Sequence, residues 1–184
     1  LPLDHTMRNS MNFRFEKPDP HKLQSQGYTA FDMHFHTRHS RDAIARITTA
    51  LKKARAGNFG FAVTDHNTIS GARQALQQRS VPVIPGIEVT SAEGIHTLFY
   101  FDNYTELEEF YRKDIKPSSN PFFIDRLHYD IIQAATDHNC VICCPHPFSA
   151  GAPGLMNHGL NSHLENFAAV ELINGYNTPL MNRK

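Results

Sequence analysis

The chain has 184 residues, 40% of them apolar with thirteen Phe, which suits one domain with a real core. No apolar run approaches the 18 residues of a membrane span, and 18 Lys+Arg against 18 Asp+Glu argue against a polybasic surface coating nucleic acid or lipid. Three cysteines, two of them adjacent at Cys143 and Cys144, are no disulfide framework and point to a reducing, cytoplasmic compartment. The unusual entry in the composition is histidine, twelve in a chain without Trp. Histidine is the commonest metal ligand, so either a metal site or a surface rich in imidazole is implied, and spacing must decide.

Residues 1–27 are polar, carry Pro18 and Pro20, and show no sustained period, so they read as a lead-in to a domain spanning 28–184. Strand-length apolar runs follow at Tyr28–Met33, Gly60–Thr64, Val81–Val89, Ile95–Phe101, Cys140–Cys144 and Ala168–Ile173. Between the first two, Ile44, Ile47, Leu51 and Ala54 form one helical stripe over 43–56, stopped by Gly57. Glu106–Lys113 reads as a helix, Pro117–Asn120 as a loop. A further helix opened by Pro121 would place Ile124, Leu127, Ile131 and Ala135 on one face. Thr178-Pro179 reads as an N-cap with Pro at the first helical position, leaving only Leu180–Lys184 for the helix it announces. Strands alternating with helices predict an α/β fold on a parallel sheet with crossovers, and pattern alone leaves doubly wound and barrel forms both open.

In such folds functional groups gather at the carboxyl ends of strands. The first run ends in Asp32-Met33-His34-Phe35-His36-Thr37. Alternation puts His34 and His36 on one face, roughly 6.6 Å apart at Cα, close enough to converge on one ion. Asp32 shares that face and could orient a ligand histidine. The next runs end in Thr64-Asp65-His66-Asn67 and Gly86-Ile87-Glu88-Val89-Thr90, the fourth holds His96, and the fifth ends in Pro145-His146-Pro147. Ligand-type residues at five successive strand segments make scattered structural roles a poor account of the set. Thr-Asp-His-Asn also recurs at 136–139, but there it ends a helix. His138 is expected to be a cation at the helix C-terminus and Asn139 a left-handed cap.

These segments, taken in order from Asp32-Met33-His34-Phe35-His36-Thr37 through Val63-Thr64-Asp65-His66-Asn67, Ile84-Pro85-Gly86-Ile87-Glu88 and the strand histidine to Cys144-Pro145-His146-Pro147-Phe148, resemble the PHP (polymerase and histidinol phosphatase) family, nearest its small stand-alone phosphoesterases. The resemblance implies a distorted (β/α)7 barrel of PHP type holding two or three divalent ions of Mn, Zn or Fe. Carried over by position, His34 and His36 bind the first metal, Glu88 bridges the first and second, and His96 and His146 bind the second. His66 binds the third together with Asp42, for which His39 is the competitor. The family closes its site with a Gly-Ser-Asp-Ala-His motif. Nothing after Ile173-Asn174-Gly175 supplies it, so the expectation is a barrel whose C-terminal part is missing from this chain.

The implied activity is metal-dependent hydrolysis of a phosphomonoester or a nucleotide or oligonucleotide phosphoester, with a metal-bound hydroxide near Glu88 as nucleophile. Asp65 is either a catalytic orienter and proton acceptor or the cap of a helix after Thr68. Arg38 and Arg41 are the candidate phosphate-binding cations, against a reading as solvated loop charges. Cys143 and Cys144 are expected to be buried thiols, and His128, His158 and His163 surface or loop residues. The expected partner is a small phosphorylated substrate or short oligonucleotide, with no membrane. The rival readings are a non-catalytic metal-binding PHP module and a metal-dependent amidohydrolase.

Overall fold

The computed structural model describes residues 19–116, 120–148 and 165–171. A short helix α1 (Pro20–Ser25) precedes strand β1 (Ala30–Phe35), then come α2 (Ile47–Gly57), β2 (Phe59–Val63), α3 (Ser70–Gln78), β3 (Val83–Thr90) and β4 (His96–Phe101). Helix α4 (Tyr104–Phe110) runs into a π-helical turn at Tyr111–Ile115, and α5 (His128–Ala135), β5 (Cys140–Cys144) and β6 (Ala169–Val170) complete the order. Among the described residues, no helix is long and apolar enough to cross a membrane.

The six strands form one sheet in sequence order. Strands β1, β2 and β3 are parallel, as the alternating pattern predicts. The all-parallel expectation fails beyond that point, because β4 is antiparallel to both β3 and β5, and only β6 resumes a parallel pairing. Five residues, Ser91–Ile95, join β3 to β4, too few for a crossover and enough for a hairpin. The hairpin turns on Gly94 at φ +84°, and the Ile95 carbonyl accepts from the Ser91 amide at 2.9 Å.

This sheet is a curled half-barrel. The curl is measurable from the side chains. Strands β1 and β5 are four places apart, about 19 Å in a flat sheet at the usual spacing. Yet the rings of His34, on β1, and His146, just past β5, stack with centroids 5.8 Å apart. The Tyr100 hydroxyl on β4 likewise donates to the Met33 carbonyl on β1 at 2.8 Å. The convex side is covered by helices: Ile47, Leu51 and Ala54 of α2, Ala72 and Ala75 of α3, Phe110 of α4 and Ile131 of α5 bury against Phe61, Ile87, Phe99 and Phe101.

Two helix expectations are corrected. Ile44 is 95% exposed and outside α2, which begins only at Ile47, since the preceding residues loop back so that Arg38 N–H donates to the Ala45 carbonyl. The helix assigned to Pro121 starts instead at His128. Residues before it hold the β3–β4 loop, with Ile124 N–H donating to the Thr90 carbonyl and Arg126 accepting from Ala92 N–H. Ile124 is therefore buried without being helical, and Leu127 is 54% exposed. Gly57, expected as the stop, is the last residue of α2, and Asn58 after it takes the left-handed C-cap. Asn139 does not adopt that conformation. The helix expected after Thr178, the closing-motif region, and His158 and His163 lie outside the described residues, as does most of the lead-in.

Candidate metal centre

Strand polarity explains why residues from five strands meet. The carboxyl ends of β1, β2 and β3 lie at one rim because these strands are parallel. The reversal at β4 brings its first residue, His96, to that rim opposite Thr90, and the reversal at β5 returns its far end, with His146, to the same place. His96 was expected within its strand segment rather than at a carboxyl end. It begins its strand, yet faces the same centre.

Glu88 is the hub. It is fully buried, and its two carboxylate oxygens touch five imidazoles: His36 Nε2 at 2.7 Å, His34 Nε2 at 3.0 Å, His96 Nδ1 at 3.1 Å, His146 Nε2 at 3.3 Å and His66 Nε2 at 3.4 Å. Burial by itself would raise its pKa, but His66, His146, His34 and His36 hold the carboxyl well below its ordinary value. Burial also opposes charge on His34, yet Glu171 and Glu88 more than offset it and push His34 up to about 10. His36, between Asp42 and Glu88, is likewise pushed up to about 9 against its burial. His66 goes the other way, down to about 4, because burial and the neighbouring His96 and His36 outweigh Glu88.

The Asp65-His66-Asn67 turn fixes this hub. Glu88 N–H donates to the Asp65 carbonyl at 3.3 Å, and Asn67 N–H returns to the Glu88 carbonyl at 2.9 Å. Asn67, at φ +50°, then accepts Thr90 N–H on its side-chain oxygen at 2.9 Å. A short polar side chain is suited to that left-handed position. His66 Nδ1 meets the Thr90 hydroxyl at 3.1 Å, which aims Nε2 at Glu88.

Of the two competitors in the first loop, Asp42 reaches the centre and His39 does not. Asp42 Oδ2 lies 2.7 Å from His36 Nδ1 and 3.7 Å from His66 Nε2, and Oδ1 accepts from Ser40. His39 Nε2 pairs with Gln74 on α3 at 2.9 Å. Asp65 does not cap the helix after Thr68. Its carboxylate is buried and accepts from Thr37 N–H at 2.5 Å and Thr37 Oγ1 at 2.7 Å, while the N-cap of α3 is Ile69 with no side-chain capping bond. It braces the first loop against α3. Asp32 bonds the backbone N–H of His34 at 3.2 Å rather than an imidazole. The ring of His34 is held by Glu171, a residue that sequence reasoning missed, with Nδ1 at 3.3 and 3.4 Å from its two oxygens. Glu171 lies inside the run expected at Ala168–Ile173 and follows directly on β6, so extending the search for ligand-type residues to the sixth segment would have found it.

Arg38 and Arg41 flank this centre in the first loop and are exposed, with the Arg41 guanidinium over the Phe122 ring at 5.1 Å. His138 is elsewhere, paired with Asp114 at 2.9 Å and edge-on to Phe110. His128, expected at the surface, is buried: its Nε2 meets Thr97 Oγ1 at 3.0 Å and its N–H donates to Glu93. Cys143 and Cys144 are buried, and burial pushes the Cys143 thiol up to about 12, so it stays protonated near neutrality.

The donor set fits divalent cations. Three groups of donor atoms, His34/His36/Glu88, His36/Asp42/His66 and His66/Glu88/His96, each lie within 4.8 Å and share members. His34 Nε2 and His36 Nε2 face each other at 3.1 Å, and His146 Nδ1 is a buried ring nitrogen without a partner among the described residues. Imidazole with carboxylate and no thiolate accepts Mn, Fe and Zn alike.

Packing against Asp65 yields one stability expectation. A Cβ on Gly71 of α3 would land on the Asp65 carboxylate and crowd Thr37 and Val63. Alanine is the better helix former by about 1 kcal/mol, but overpacking costs about 1–3 kcal/mol. Gly71→Ala is therefore expected to lower stability in urea denaturation and to disturb the first loop. A variant as stable as the parent would show that the Asp65–Thr37 pair has room to move.

A family model described as the PHP domain matches residues 32–169. No curated protein sequence matches the chain. Among solved structures, a Bifidobacterium adolescentis protein assigned as a metal-dependent phosphoesterase aligns with TM-score 0.59 at 15% identity, covering 84% of this chain and 81% of its own. An amidohydrolase from Chromobacterium violaceum, with sulfate bound and no metal, aligns with TM-score 0.55 at 14% identity over 84% and 81%. A lesion-specific endonuclease from Pyrococcus furiosus aligns with TM-score 0.52 at 17% identity, over 66% of this chain and 35% of its own. At such identities the likeness establishes the fold.

Proposed function

Because this chain belongs to the PHP domain family, we propose that it is a metal-dependent hydrolase of phosphoesters, with His34, His36, Asp42, His66, Glu88, His96 and His146 as the residues that hold two or three divalent ions. The observation that carries the reading is the convergence of five imidazoles on the buried carboxylate of Glu88, with Asp42 against two of them, His36 and His66. Ions held there would supply Lewis acidity toward a phosphoryl oxygen and lower the pKa of water. The chain's own contribution is to fix donor geometry through Glu88 and the Asp65-His66-Asn67 turn, and to keep the hub free of bulk water.

Arg38 and Arg41 are the cations that would meet the remaining phosphate oxygens, since a guanidinium fork matches their geometry. The exposed rim they share favours a small phosphorylated molecule or a short oligonucleotide. A cytoplasmic location is part of the same reading and rests on three free thiols. The Chromobacterium neighbour keeps a C–N hydrolase in view, but among the described residues the ion-pair partners of Glu88 are histidines and not a lysine.

The test is metal analysis of the purified protein with phosphate release from p-nitrophenyl phosphate and nucleoside 3′,5′-bisphosphates. Phosphate release is expected to stop on treatment with EDTA and to return on adding back Mn. Metal-loaded protein that is inert on every phosphoester, or that turns over only C–N substrates, would overturn the reading.

A further inference from the structure

Among the described residues, Glu171 belongs to none of the groups of donor atoms that could hold an ion, yet it touches two residues of the centre. Its backbone N–H donates to the Cys144 carbonyl at 2.8 Å, which fixes it beyond β6 beside the end of β5. From there the half-buried side chain spans the gap where the curled sheet brings its last strand back to its first. One end of that span is the His34 ring, whose Nδ1 lies 3.3 and 3.4 Å from the two carboxylate oxygens. The other is the backbone N–H of His146, which donates to Oε2 at 2.7 Å.

Both contacts act on geometry. A carboxylate only accepts, so it holds the Nδ1 proton of His34 and leaves Nε2, 3.0 Å from Glu88, as the nitrogen with a free lone pair. His146 sits at φ +27°, a left-handed conformation that a residue with a Cβ rarely holds, between Pro145 and Pro147. The short bond to Glu171 retains it there, with Nε2 directed at Glu88 Oε1 at 3.3 Å.

We propose that Glu171 is a positioning residue for the metal centre, a single carboxylate that sets the tautomer of His34 and the backbone of His146 so that both offer Nε2. This role rests on the metal-centre reading above. Glu171→Gln removes the charge and turns one of the two acceptor oxygens into an NH2 donor, so with the remaining oxygen on His146 N–H the amide nitrogen faces His34 Nδ1 and the hold on its proton is weakened.

The test is chelator competition with Co(II) and Zn(II) on the full chain and on Glu171→Gln, with the visible spectrum of the Co(II) form and circular dichroism of the metal-free form. The expected result is a 10–100-fold loss of affinity and a changed Co(II) spectrum with unchanged dichroism. Wild-type affinity and spectrum in the variant would overturn the role. If the variant fails to fold, ¹H–¹⁵N spectroscopy of the Zn-loaded wild type decides: a proton on His34 Nδ1 supports the proposal, and one on Nε2 overturns it. A wild-type chain that takes up no divalent ion would overturn the centre itself, and this role with it.

Discussion

Glu88→Gln is expected to weaken divalent-metal binding by more than about 100-fold and to remove hydrolytic turnover, because it strikes the one residue that every histidine of the centre shares. Loss of an outer partner of a ligand typically costs 10–100-fold. Glu88 is the inner hub, 0% exposed, with five imidazole contacts between 2.7 and 3.4 Å. Glutamine keeps the volume and removes the charge, so the anion is lost at nearly constant size. In the metal-free variant His36 should also titrate lower, since Glu88 is one of the two carboxylates that raise it. Calorimetric metal titration beside a histidine NMR titration measures both effects. A Glu88→Gln protein with the parent's stoichiometry and affinity would remove Glu88 from the centre.

Metal affinity should climb with pH between about 6.5 and 9, by up to about two decades per unit, because each displaced proton contributes one decade per unit. Two protons are at stake: His34 and His36 are raised to about 10 and about 9, and both must lose one to bind. His66, at about 4, is already neutral throughout this window and adds no slope. Stability of the metal-free protein runs the other way. A histidine whose folded pKa is raised above its unfolded value stabilises fully below the unfolded pKa, near 6.5, and loses that contribution as pH rises through the folded value. The stripped protein should therefore become less resistant to urea from neutrality to pH 10 while its affinity for metal rises. Chelator competition and urea melts at stepped pH measure the two trends, and a flat affinity profile over this range would show that His34 and His36 carry no proton in the metal-free state.

Much of the site was legible because strand alternation is local. His34 and His36 share a face by the two-residue period alone, and His66, Glu88 and His146 follow from apolar runs that end in ligand-type residues. The choice between Asp42 and His39 was not available at that level. Both lie in one loop, and it took the α3 side chain of Gln74 to draw His39 away. The carboxylate of Asp65 turns back to Thr37 in the first loop, a contact between two strand ends that no sequence period announces. Side chains on adjacent residues of an extended segment point oppositely, so Asp65 and His66 were never equivalent.

The sequence by itself determined the family resemblance, the strand segments and most of the residues that gather around Glu88, since each depends on periodicity over a few residues. Tertiary structure decided the polarity of β4, the curl of the sheet and the reach of Glu171 to His34 and His146. Polarity turned on whether a five-residue link could carry a crossover, and curl on the accumulated twist of six paired strands. Neither is written in any single strand. A contact between the first strand and the last exists only once all the strands between them have paired.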